Sequence, residues 1–154
     1  MKFEQYKLLK DQAVAVCAAA GVKAADVDRL NPILLAYIGD AVFSLYVRLR
    51  LLPTSGQVRV LHDLGAKFVS AVYQSHAMEQ LEPELTEEEQ PVFRRGRNAK
   101  SIVPKSASVH QYRMATALEA LLGWLFLQDR QERLEKLLEK SFDAIAAKMQ
   151  AEKQ

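Results

Sequence analysis

Two acidic residues stand where acids are expensive. Asp40 lies in Ala36-Tyr37-Ile38-Gly39-Asp40-Ala41-Val42-Phe43 and Glu119 in Ala115-Thr116-Ala117-Leu118-Glu119-Ala120-Leu121-Leu122-Gly123, each the single carboxylate of an apolar run. An ionised carboxylate in such surroundings is costly unless a cation, a metal or several hydrogen-bond donors meet it. With no His or Cys close by in sequence, these hard oxygens suit Mg²⁺, which takes one or two carboxylates and completes its shell with water and substrate phosphate oxygens. A shell left open in that way is what a phosphodiester hydrolase uses. The competing account is a buried acid paired with Arg48, Arg113 or a helix end, and residue chemistry alone leaves the two about evenly matched.

The element that must carry Asp40 runs from Asn31 to Leu52. Leu35, Ile38, Val42, Leu45, Leu49 and Leu52 recur at steps of three and four, one stripe of a helix, while Ala36, Phe43 and Val47 line the face that holds Asp40. A helix apolar nearly all round is expected to be largely buried. Pro32 fits its first turn and Pro53 ends it. Its apolar perimeter exceeds what one small domain covers, which predicts a homodimer through this helix. Glu119 belongs to a second helix starting at Ser108, with Met114, Ala117, Leu118, Leu121, Leu122, Leu125 and Phe126 on its apolar side. Ala36 lies one turn before Asp40, and Ala115 and Gly123 lie one turn before and after Glu119. Small neighbours let two helices approach closely, so the two acids are expected to share one site.

Just before the second helix the charge turns basic. Arg94-Arg95-Gly96-Arg97-Asn98-Ala99-Lys100 is followed by Pro104-Lys105, without an acid and with two turn formers. A loop carrying Arg94, Arg95, Arg97, Asn98, Lys100 and Lys105 is suited to a phosphate backbone, and arginine's planar fork favours that contact. A solvated turn is the plainer alternative. No aromatic residues interleave with the bases, which favours recognition of a duplex by shape over stacking on single strands.

The remaining segments read as supports. Phe3 to Ala20 alternates apolar and charged residues at helical spacing before Gly21, and Asp26 to Leu30 reads as a short turn. A third helix is expected from a Thr54 or Ser55 cap to about Glu79, with Ala66, Val69, Val72 and Tyr73 facing inward. A short helix capped by Thr86 should run through Phe93. Last, Gln131 to Lys148 places Leu134, Leu137, Leu138, Phe142, Ile145 and Met149 on one packing face. No stretch alternates with a period of two. The expected fold is all-α, a single domain over 1–154.

Composition narrows the classes further. An apolar fraction of 49% and a charged fraction of 26% over 154 residues suit a folded domain rather than a disordered chain. Lys and Arg number 21 against 19 acids, a balance too even to name a partner. Cys17 is the one cysteine, excluding an intrachain disulfide or a cysteine-rich zinc site, and a small buried role suits it. The six glycines form no phosphate-cradling cluster. His62-Asp63 lacks the earlier histidine that a helical metal phosphohydrolase needs, and the Glu and His repeats of a di-iron bundle are absent. Met1 to Phe3 lead directly into charged residues, and Asp40, Arg48 and Arg50 interrupt the apolar runs. Neither export nor membrane spanning is supported, and a cytoplasmic location is expected.

These motifs carry a resemblance. Tyr37-Ile38-Gly39-Asp40-Ala41-Val42-Phe43 resembles the signature helix of the ribonuclease III endonuclease domain, and Ala117-Leu118-Glu119-Ala120-Leu121-Leu122-Gly123 resembles that family's second acidic motif. With Arg94 to Lys100 and Tyr112-Arg113, the whole resembles the bacterial Mini-ribonuclease III branch along about the entire chain. The resemblance implies an all-helical homodimer that cuts double-stranded RNA with Mg²⁺, leaving 5′-phosphate and 3′-hydroxyl ends, and for this branch the trimming of the 23S ribosomal RNA precursor. It assigns Asp40 and Glu119 as catalytic metal ligands, implies no separate double-stranded-RNA-binding domain, and leaves room for a ribosomal protein that presents the substrate. Full-length ribonuclease III has further acids where this sequence has Ile33, Ala36 and Thr116, a thinning the Mini branch shares. Metal is then expected to bind well when RNA phosphate completes the shell. The alternative of another class is a helical RNA-binding or ribosome-assembly factor that keeps the fold without cutting; a purely structural helical dimer would have no RNA affinity.

Overall fold

The central helix of the molecule is the one that carries Glu119. The computed structural model describes residues 3–19 and 24–154, and among them the elements are helices and short 3-10 turns, with no strand. In chain order these are α1 (Phe3–Ala19), a 3-10 turn (Ala24–Arg29), α2 (Pro32–Leu51), α3 (Val58–Phe68), α4 (Ala71–Leu81), α5 (Glu89–Asn98), α6 (Val109–Leu127) and α7 (Gln131–Glu152), with further 3-10 turns at Leu52–Thr54 and Glu82–Glu84. The expected all-α fold is therefore the observed one. Gly21 and the side chain of Cys17 lie outside the described residues.

α6 begins at a reciprocal cap. Ser108 Oγ accepts from the Gln111 N–H at 3.1 Å, while Gln111 Oε1 accepts from the Ser108 N–H at 3.0 Å. The helix ends where Asp129 takes a left-handed conformation (φ 56°), with the Arg130 N–H donating to the Leu125 carbonyl at 3.0 Å and the Asp129 N–H to Phe126 at 3.1 Å. Between these ends nearly every side chain from Met114 to Leu125 is buried, so α6 has no solvent face over its middle turns. Helices α2, α4 and α5 surround it, and α7 closes the bundle against α4 and α6. Leu134, Leu137, Leu138 and Ile145 of α7 are fully buried, and Phe142 stacks on Phe68 at 4.5 Å.

The helix expected to be largely buried is only partly so. In α2 the covered residues are Leu35, Ala36, Gly39, Val42, Phe43, Val47 and Leu51, whereas Leu34, Tyr37, Leu45 and Asp40 are exposed, Tyr37 at 76%. The face with the small residues won, because α6 can approach only there. Pro32–Thr54 is long and apolar enough to cross a membrane by composition, with 33% of its window buried. Asn31 caps the helix, its side chain accepting from the Ile33 N–H at 2.9 Å, and Pro32 occupies the first turn as expected.

Two other boundaries differ from the sequence reading. The third helix is two helices, broken at Val69-Ser70, where Ser70 is extended (ψ 151°) and its hydroxyl donates to the Lys67 carbonyl at 2.8 Å. No glycine or proline marks this break. It frees α4 to lie along α6 while α3 stays beside α2, and the inward residues become Gly65, Phe68, Gln74, Ser75, Ala77 and Met78, with Ala66 exposed. The second difference is α5, which begins at Glu89 and continues to Asn98. Thr86 and Glu89 cap it reciprocally, the Glu89 N–H donating to Thr86 Oγ1 at 3.3 Å and the Thr86 N–H to Glu89 Oε2 at 3.1 Å. Glu89, 2% exposed, also receives the Arg133 guanidinium at 2.7 and 3.0 Å, tying α5 to α7.

Candidate active site

Glycines bring the two acids together. A Cβ on Gly39 would sit 1.7 Å from the Glu119 carbonyl oxygen, and one on Gly123 would sit 1.9 Å from the Leu35 carbonyl oxygen. Both are backbone atoms, which cannot step aside, so α2 and α6 cross in contact at a place where no other residue fits. Asp40 follows Gly39 directly, and Glu119 lies one turn before Gly123. A second crossing is made by α5, where a Cβ on Gly96 would lie 2.9 Å from the Ala117 Cα and 3.0 Å from the Ala120 Cβ. The turn of α6 that holds Glu119 is thus gripped by α2 and α5 at once.

The electrostatics of the pair are those of an unmet demand for positive charge. Burial, and then the neighbouring Asp40 carboxylate, push the Glu119 carboxyl up to about 8, with the Gln74 amide partly opposing the rise. Asp40 itself is exposed at the edge of the crossing. Among the described residues neither acid forms an ion pair, so Arg48 and Arg113 do not neutralise them. This removes pairing with Arg48 or Arg113 as the account of the two acids. Two carboxylates of one site, one of them desolvated and neither paired, form a donor set of hard oxygens that fits a divalent cation of the Mg²⁺ class. No group of three or more His, Cys, Asp or Glu residues with metal-binding geometry occurs among the described residues, so the protein offers two carboxylates and leaves the rest of a shell to water and substrate.

The expected basic loop is mostly helix. Arg94, Arg95, Arg97 and Asn98 occupy the last turns of α5, while Lys100 and Lys105 are exposed in the segment leading to α6. Arg94 is exposed, its guanidinium 3.4 Å from Gln90 Oε1. Arg97 lies 5.3 Å over the Phe93 ring and donates to Asn98 Oδ1 at 3.3 Å. Arg95 differs from these. Its guanidinium donates to the Asp28 carbonyl at 3.0 Å and the Leu30 carbonyl at 2.6 Å, so it fastens α5 to the segment that enters α2. The segment after α5 is pinned by Ser101 Oγ donating to Tyr112 Oη at 2.7 Å. Because Gly96 seats α5 on Ala117 and Ala120, the basic turn is held beside the Glu119 turn rather than swinging free.

Sequence reasoning missed Gln74. It sits on α4, is 1% exposed, and turns its amide towards Glu119. In a helix of mixed polarity, one glutamine gives no signal of burial. Gly96 was visible within the basic run, but its role in seating α5 is legible only once α6 is placed.

Residues 34–130 match the model of the ribonuclease III domain. The chain belongs to the ribonuclease III family. The match covers both acids and the basic turn, and is narrower than the whole-chain resemblance. Among its relatives, the Mini-ribonuclease 3 of Thermoanaerobacter sp. is 45% identical over 75% of this chain and 83% of its own. That of Symbiobacterium thermophilum is 46% identical over 75% of this chain and 91% of its own, and that of Staphylococcus aureus 44% identical over 72% and 86%. The chain is also similar to a Fusobacterium nucleatum protein of known crystal structure, with a TM-score of 0.70 and 30% identity over 77% of this chain and 96% of that one. Membership makes this protein an endoribonuclease of a family that acts on double-stranded RNA and generally depends on divalent metal.

Proposed function

We propose that this ribonuclease III-family chain cuts double-stranded RNA with Mg²⁺ held by Asp40 and Glu119, and that its substrate is the 23S ribosomal RNA precursor. The observation that carries the reading is the contact of α2 and α6 through Gly39 and Gly123, which gathers two unpaired carboxylates beside a basic helix end. A divalent ion bound there supplies water activated for attack and neutralises charge developing on the phosphate. Asp40, exposed, and Glu119, half-buried with its carboxyl pushed up to about 8, would hold the ion together, Glu119 giving up its proton to do so. The products expected are 5′-phosphate and 3′-hydroxyl ends. Arg94, Arg97, Asn98, Lys100 and Lys105 would lie along the phosphate backbone, with Arg95 contributing by fixing α5 in place.

A homodimer through α2 follows from the same reading. Leu34, Tyr37, Leu45 and Leu52 leave an apolar face that a second copy would cover, and the low burial of so apolar a helix supports this. Residues 1–154 would work as one endonuclease unit in the cytoplasm, with a ribosomal protein able to present the RNA. The test is end-mapping of fragments from a structured ribosomal RNA precursor with Mg²⁺ present and absent. Discrete cuts in duplex RNA that need the metal support the proposal; binding without cuts favours the RNA-binding factor instead.

A further inference from the structure

The candidate metal site has a third wall. Gln74, on the first turn of α4, is 1% exposed, and its Nε2 lies buried without a hydrogen bond of ordinary length and angle to any protein atom. A buried amide nitrogen in that state destabilises the fold, because its lost hydration is not replaced. Ala77, Met78 and Leu81 are buried on the same helix, and its one other buried polar side chain is the small hydroxyl of Ser75. A polar group kept in such a place at that cost points to a task. Its amide lies close enough to the Glu119 carboxyl to act on that carboxyl's ionisation. Other polar groups are committed elsewhere. Thr116, one turn before Glu119, donates its hydroxyl to the Tyr112 carbonyl at 3.0 Å, and Arg113 is exposed and unpaired with the acid.

We propose that Gln74 is the positioning residue of this metal site, its amide N–H holding one oxygen of the Glu119 carboxylate so that the other is presented to the cation beside Asp40. The inference rests on the metal-site reading above. In the free chain the amide is near its acceptor and imperfectly aligned. With a cation held between the two acids, the amide would close to ordinary hydrogen-bond geometry on the Glu119 carboxylate. An outer partner of this kind typically contributes ten- to hundred-fold in metal affinity by fixing its ligand's orientation. It touches neither the metal nor the RNA.

The experiment uses the full chain and Mn²⁺ as probe, bound at equilibrium and followed by electron paramagnetic resonance, with Gln74→Met, which keeps length and packing and removes the amide. The expected result is Mn²⁺ binding weakened about ten-fold, with duplex RNA affinity in chelator unchanged and the cleavage rate recovering at saturating metal. Unchanged Mn²⁺ affinity in a folded Gln74→Met chain overturns the inference while leaving the metal site standing. If the wild type binds no Mn²⁺, or Glu119→Gln binds it as well as the wild type does, the metal-site reading fails and this inference with it. A measurement independent of the variant's folding is the ¹⁵N side-chain amide resonance of Gln74 in the wild type. It should shift on adding Mg²⁺ and stay still in Glu119→Gln; no shift in the wild type overturns the positioning role.

Discussion

Replacing Glu119 by Gln should stabilise the metal-free protein, and more so as the pH rises. The Glu119 carboxyl stands at about 8 in the folded chain against an ordinary 4.5, because burial and the Asp40 charge both resist its ionisation. The folded state therefore holds this proton more tightly than the unfolded state. Its contribution to stability is fully present below about pH 4.5 and is lost as the pH rises through about 8. At about 1.36 kcal/mol for each pH unit, the loss approaches a ceiling of about 5 kcal/mol. Between pH 6 and pH 9 the same two values give a loss of about 2–3 kcal/mol, or roughly 5–10 °C in melting temperature for a chain of this length. Glutamine cannot ionise, so the gap in stability between variant and parent should widen by that amount over this interval. The assay is urea unfolding in chelator at several pH values, read by circular dichroism. A gap independent of pH, or a variant less stable than its parent at pH 9, would refute the crowded, unpaired pair of acids.

The crossing itself is open to mutation. Gly39→Ala or Gly123→Ala drives a methyl into backbone and should cost about 3 kcal/mol or more, while Gly56→Ala, with nothing within 4 Å, should stay within about 0.5 kcal/mol in the same unfolding assay. Burial alone would raise the Glu89 carboxyl, but the bonds from Arg133 and Thr86 outweigh it and hold it low, so its stabilisation should be present above about pH 4.5 and lost below it. Glu89→Gln should therefore flatten acid unfolding at neutral cost of roughly 3–5 kcal/mol, since Arg133 loses its charged partner. Arg94→Ala and Arg97→Ala should each weaken binding to all duplexes alike and reduce its salt dependence, whereas Arg95→Ala should chiefly lower the melting temperature. Leu45→Lys, on the exposed side of α2, should shift light scattering from dimer to monomer, and a wild-type monomer at micromolar concentration would end the dimer proposal.

The helices were legible where local signals are strong. Asn31 and Pro32 mark the start of α2 and Ser108 that of α6; in both cases the structure has a side-chain cap at that residue. The break at Val69-Ser70 was not legible because its cause is tertiary: α4 must lie on α6, and Val-Ser carries no turn chemistry of its own. Asp40 and Glu119 could be singled out as acids in apolar runs. Their difference in exposure could not, since it depends on which face of α2 meets α6, and the small residues decided that against the longer leucine stripe. The arginines read alike as a sequence, yet Arg95 is bound to two carbonyls and Arg94 is exposed, a division set by where the chain before α2 passes. Gln74 had no sequence signal at all. Its burial comes from a helix whose start the sequence does not announce.

If Asp40 and Glu119 perform the cleavage rather than hold the fold, neutralising either acid must stop cleavage without loss of RNA binding. The direct measurement compares wild type, Asp40→Asn and Glu119→Gln for cleavage of duplex RNA in Mg²⁺, with RNA affinity measured on the same preparations in chelator. Each variant should bind duplex RNA nearly as the wild type does and cut it at least about a hundred-fold more slowly. Cleavage at the wild-type rate by either variant, with RNA bound equally well, would contradict that role for the two acids.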